Sequence, residues 1–194
     1  WWFWRDDAVH HGPGVVAPDI PRQSASDGAA AFSHKGYRIK PLARFALRAR
    51  VLAREEYRLD REAELAPLDL ALGWGPMSDE SVLAQIEISQ SGRWYRWFAR
   101  QLPIPRRQIE RHSANMHMIP ADESVADRLD DVRVGEVVAL RGYLVEVRAD
   151  DGWRWRSSLT RDDTGSRSCE LVFVEQVSVR GTEAGRPIRH WGRR

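Results

Sequence analysis

A single cysteine, Cys169, stands in 194 residues, which excludes an intrachain disulfide and any thiolate-rich metal site. Lysine is almost as scarce. Lys35 and Lys40 are the only lysines among 30 basic residues, so nearly every cation is an arginine. No apolar run reaches the roughly 18 residues that a bilayer-spanning helix needs. Also missing are a G-x-G-x-x-G or Walker-type loop, an HExxH helix and a glycine elbow around a serine. Those absences remove sequence support for a phosphate cradle, a zinc protease and an α/β-hydrolase nucleophile. No cofactor is expected.

What is present is the composition of a folded domain: 42% hydrophobic and 30% charged residues, a length suited to one core, and a formal charge of +2 with a pI near 9.0. Such a small net charge gives little long-range pull on phosphate unless the cations share a face, so nucleic acid is not the expected partner. A GC-rich coding sequence accounts for the arginine excess; the functional alternative is bidentate binding of carboxylate or phosphate by planar guanidinium.

Trp1, Trp2, Phe3 and Trp4 border Arg5, Asp6 and Asp7. Aromatics beside charge mark the water-facing end of a membrane helix, so an apolar segment is expected to have preceded residue 1 and to have been removed. The competing reading is an aromatic arm packed on the core. Pro13, Pro18 and Pro21 with Gly12, Gly14 and Gly28 make residues 10–28 an extended tether or surface strap. The organisation read from this is an arm over 1–28 and one globular α+β domain over 29–194, β-rich across 132–180.

Strict alternation from Arg44 to Val51 predicts a strand with Phe45, Leu47, Ala49 and Val51 buried and an arginine-lined outer face. A helix is expected over 54–66, turns over 68–77, a helix opened by Ser78, Asp79 and Glu80 and ended by Gly92, and helices over 106–113 and 122–131. Arg93 to Phe98 reads as a strand or short helix. Val138 and Leu140 precede Gly142, and Val145 and Val147 follow it in the other phase, which predicts a strand kinked at the glycine. Asp150, Asp151 and Gly152 form a hairpin turn. Trp153, Trp155, Ser157 and Leu159 then alternate with Arg154, Arg156, Ser158 and Thr160, and Cys169 to Val179 gives another strand. Three consecutive antiparallel strands imply α+β architecture with a curled antiparallel sheet or a small OB-like barrel and a few short helices.

His112 and His117 are the ligand-type candidates for a metal-dependent hydrolase, with Asp122 or Glu123 as the carboxylate. Their spacing of five is not that of a metal-binding helix, and a structural role is the plainer alternative. Cys169, Ser157 and Ser158 are the candidate nucleophiles, each also explained by packing. Interleaved arginine and aromatics at Arg93 to Trp97 and Trp153 to Arg156 supply candidate binding residues Trp94, Arg96, Arg154, Arg156 and Arg161; such pairs can stack rings while holding anions. On an alternating strand the same pattern is a core with a charged face.

From Asp131 to Val179, the stretches VGEVVALRGYLVEV, SSLTRDDTG and SCELVFVEQV resemble the C-terminal half of uncharacterised membrane-anchored bacterial proteins and, loosely, the strands of OB-type barrels. The resemblance implies fold and brings no functional residues. The function expected is a non-enzymatic, extracytoplasmic binding or assembly module. It would be anchored in the bacterial inner membrane, face the periplasm and recognise a protein or envelope polymer. The metal-dependent hydrolase and a barrel that binds single-stranded nucleic acid are the alternatives.

Overall fold

The computed structural model describes residues 8–160 and 169–180. In chain order the elements are β1 (Arg22–Ala25), β2 (Phe32–His34), β3 (Tyr37–Glu56), α1 (Arg61–Leu65), β4 (Leu68–Gly73), a 3-10 turn (Gly75–Ser78) and α2 (Glu80–Leu83). Then follow β5 (Glu87–Ser91), β6 (Trp94–Phe98), α3 (Arg106–Arg111), β7 (Ser113–Pro120), α4 (Glu123–Asp130), β8 (Val137–Arg148), β9 (Arg154–Arg156) and β10 (Glu170–Val179). The fold is α+β, with a curled, mainly antiparallel sheet and a few short helices, as the sequence patterning implied.

β3 organises the sheet. Its alternation buries Phe45, Leu47, Ala49 and Val51 as expected, but the strand runs for 20 residues. One edge pairs with β8; the other carries β2, β1 and β4 in succession. Register shifts at Pro41/Ala43 and Val51/Ala53 bend it between these partners. β4 pairs with β7, β7 runs parallel to β10, β10 pairs with β8, and β8 returns to β3, so five strands form a closed circuit of pairing. β9 pairs with β8 next to β10, and β5 and β6 form a separate hairpin.

Three apolar clusters hold these layers. The largest joins Phe45, Leu47, Leu70, Met116, Leu140 and Val172 to Val125 and Leu129 of α4. A second packs Ile39, Leu65, Val145, Val147 and Phe173 against Trp153 and Trp155. A third lies under the β5–β6 hairpin, where Leu52, Ala71, Met77 and Ile109 meet Tyr95 and Trp97.

Several expectations are corrected. The helix expected over 54–66 is confined to Arg61–Leu65, because Arg54, Glu55 and Glu56 continue β3 and pair with Leu70, Asp69 and Leu68; ladder pairing overrides a helical composition. Residues 68–73 of the expected turn region are a strand buried at every position, its Leu70 and Leu72 in the first cluster and Ala71 in the third. A strand covered on both faces shows no alternation to read. The helix after Ser78 is one turn, capped by Asp79 rather than Ser78, and Gly92 instead turns the β5–β6 hairpin. Arg50 leaves the outer arginine face and is buried, donating to Glu80 at 2.5 Å.

β8 keeps its phase through Gly142. Val138, Leu140 and Leu144 face the first cluster, and Val145 and Val147 face the second. The irregularity is in β10, between Val174 and Gln176, and the glycine is required because a Cβ there would stand 1.8 Å from the Phe173 carbonyl oxygen. β9 and β10 do not pair as a meander; they lie end to end along one edge of β8, the edge opposite β3. The α3 and α4 helices form where expected, Arg106–Arg111 and Glu123–Asp130. Residues 9–17 strap across the domain: Val9 N donates to Val134 O at 2.8 Å, and Gly75 N to Ala17 O at 2.8 Å. No helix among the described residues is long and apolar enough to cross a membrane.

Candidate functional site

The β8–β9 turn sets the site. Gly152 takes a positive φ of 88°, Asp151 Oδ1 accepts from Trp153 N at 3.0 Å, and Ala149 N donates to Trp153 O at 2.9 Å. Alternation after this turn sends Trp153 and Trp155 toward the second cluster and leaves Arg154 and Arg156 exposed. Register places Arg156 opposite Glu146 and Arg154 opposite Arg148.

Glu146 is fully buried and accepts from Arg148 Nε at 2.6 Å, Arg154 Nε at 2.8 Å and Arg156 Nη1 at 2.9 Å. Burial alone would push its carboxyl upward, but the three arginines outweigh that and hold it at about 2. Three cations on one anion leave excess positive charge, and their side chains are 45–56% exposed.

A second polar cluster lies deeper. Asp69 of β4 stands in register with His117 of β7, both buried. His117 Nδ1 is 2.8 Å from Asp69 Oδ1, a close polar approach that lacks the alignment of a hydrogen bond. Arg93 Nη1 donates to the same oxygen at 2.8 Å, and Asn115 Nδ2 to Oδ2 at 3.2 Å. Arg93 sits in the β5–β6 turn with φ 68°, its N donating to Tyr57 Oη at 2.8 Å and its guanidinium 3.9 Å from the Tyr57 ring centre. Its Nε and Nη2 meet only long ion-pair partners, Glu62 at 3.6 Å and Asp60 at 3.8 Å. Burial pushes the Tyr57 hydroxyl up to about 12, so it stays protonated.

Between these clusters opens a cleft of about 690 Å³, lined by Arg93, Trp94, His117, Arg154, Trp155 and Arg156 among others. That volume lies within the ~300–1,000 Å³ range of ligand sites. No family model, curated protein or solved structure matches the chain. The cleft's chemistry therefore rests on its own geometry.

Of the residues singled out from sequence, the cleft gathers Trp94, Arg154, Arg156 and His117. Arg96 points elsewhere, donating to Ser91 Oγ at 3.2 Å across the hairpin. Arg161 lies outside the described residues. His112 and His117 are not brought together. His112 ends α3 with Nδ1 2.8 Å from Gln108 O, and its ring covers Gly75. Four residues of β7, Ser113 to Met116, lie between the two histidines and carry them about 16 Å apart along the chain. Asp122 caps α4, its Oδ1 accepting from Val125 N at 2.9 Å, and Glu123 stands in the first turn of that helix. Among the described residues, no group of three or more His, Cys, Asp or Glu is placed to hold a metal ion.

The candidate nucleophiles also line this cleft. Ser157 Oγ donates to Ser158 O at 2.8 Å and accepts from Leu171 N at 3.0 Å, while Ser158 Oγ donates to Thr160 O at 3.0 Å. Burial, then Glu170 and Asp69, push the Cys169 thiol up to about 11, far from a reactive thiolate. Asp69, Arg93, Asn115 and Glu146 were missed as site residues. The available signal was an isolated acid within an apolar run: Asp69 in Leu68–Leu72, and Glu146 between Val145 and Val147.

Proposed function

We propose that the protein is a non-enzymatic binding or assembly module of the bacterial cell envelope whose cleft takes an anionic ligand. One observation carries the reading: Arg93, Arg154 and Arg156 converge with Trp94 and Trp155 on one cleft, and the Glu146 cluster beside it holds more cations than anions. Guanidinium groups that share one carboxylate keep donors for a second anion. The committed serine hydroxyls and the high thiol pKa support binding over catalysis. The envelope setting is part of the proposal, rests on the aromatic and charged border of residues 1–7, and is checked by fractionating cells that express the native gene.

A second reading, single-stranded nucleic-acid binding, draws support from the closed five-strand circuit, which is similar to OB-type barrels. Titration of tryptophan fluorescence with a uronic-acid oligosaccharide, short polyphosphate and oligothymidylate tests both. Saturable, salt-sensitive binding of an anion that is lost in Arg154→Gln/Arg156→Gln supports the module. Binding of oligothymidylate alone moves the conclusion to nucleic acid, and no saturable response to any anion overturns both.

A further inference from the structure

β9 is an edge. Ser157 N donates to Val145 O at 2.9 Å and Ala149 N to Trp153 O at 2.9 Å, so the hydrogen-bonded pairs of this ladder fall on residues 153, 155 and 157. In an antiparallel ladder the intervening residues turn their main-chain groups the other way. The N–H and C=O of Arg154 and Arg156 therefore face away from β8, and no described residue pairs with them. An unpaired edge is a template for another strand.

The cleft carries the second half of the argument. It borders that edge, since Arg154, Trp155, Arg156, Ser157 and Ser158 all line it together with Arg93 and Trp94, the Arg93 guanidinium 5.5 Å from the Trp155 ring centre. His117, 5% exposed at the side chain, sits in its floor with Nδ1 lacking an aligned partner. A strand laid here would alternate main-chain contacts to β9 with side chains reaching Arg154 and Arg156, whose charge selects acid.

We infer that the cleft beside β9 binds an extended acidic peptide segment by strand addition, the segment pairing with the main chain of Arg154 and Arg156 and placing carboxylates on their guanidinium groups and on Arg93. This deepens the anionic-module reading and rests on it. A protein partner with an acidic extended tail is the occupant that fits.

The test is calorimetry on the whole chain with a capped heptapeptide of alternating Val and Glu, its Val-Lys counterpart, and the Val-Glu peptide N-methylated at alternate residues in either phase. The expected result is binding of the Val-Glu peptide only, weakened about tenfold by N-methylation in one phase and little in the other. Arg154→Gln/Arg156→Gln weakens it by a similar factor. Arg148→Gln, which shares Glu146 but not the cleft, changes it less than about threefold. Equal affinity for both N-methylated peptides overturns strand addition and leaves anion binding intact. Equal binding of the Val-Lys peptide overturns the charge argument. Failure of the Val-Glu peptide while oligosaccharide or polyphosphate still binds overturns the peptide assignment alone.

Discussion

Asp69 and Glu146 are both carboxylates with no exposed surface, yet their surroundings differ in kind. Glu146 lies one layer below solvent and is served by three arginines that are each about half exposed. Asp69 lies between β4 and β7, and its partners His117 and Arg93 are themselves almost covered. Redundant, water-accessible partners can lose one member and rehydrate. Enclosed partners left without their counter-charge cannot. The first arrangement suits a surface that exchanges one anion for another, and the second suits a fixed support that positions Arg93 and the hairpin turn.

The largest expected effect follows from that difference. Asp69→Asn keeps the shape and removes the charge facing His117 and Arg93, and should lower unfolding stability by about 3–5 kcal/mol, read as a fall in urea midpoint at unchanged slope. A loss under about 1 kcal/mol would mean that those two side chains find water, and the contrast with Glu146 would fail. Glu146→Gln should cost less, about 1–2 kcal/mol, because its arginines return to solvent.

Acid sharpens the same comparison. The Glu146 carboxyl is held at about 2 against an ordinary 4.5, so its contribution is complete above about pH 5 and is lost as pH falls toward 2. The native protein should lose stability through that window, and Glu146→Gln should flatten part of the slope in acid titrations followed by circular dichroism. An unchanged slope would show that the three arginines do not favour the ionised form.

How far these features were legible depends on how many faces of a strand are covered. β3 was readable over 44–51 because one face is wet, and β9 was readable because Trp153 and Trp155 alternate with Arg154 and Arg156. β4 was not: with both faces buried it presents LDLALG, and the glycine and proline after it suggested turns. Gly142 was noticed for the right chemistry and the wrong strand, since its close approach answers an irregularity in β10. The arginines and tryptophans of the cleft were visible as a pattern. Arg93 was visible only as part of it, and its pairing with Asp69 joins residues 24 apart in sequence through a turn that local composition does not encode.

The smallest effect is the most discriminating. Arg154→Gln removes one of three donors to Glu146 from a side chain that is 51% exposed, and should change stability by no more than about 0.5 kcal/mol, since Arg148 and Arg156 remain. Its effect on anion binding should be larger than its effect on folding, and both should shrink in salt. A residue that only held the fold would show the reverse order. A measured stability loss above about 1.5 kcal/mol would therefore make the Glu146 cluster an integral support like that of Asp69, and would end the division between an exchangeable surface and a fixed interior.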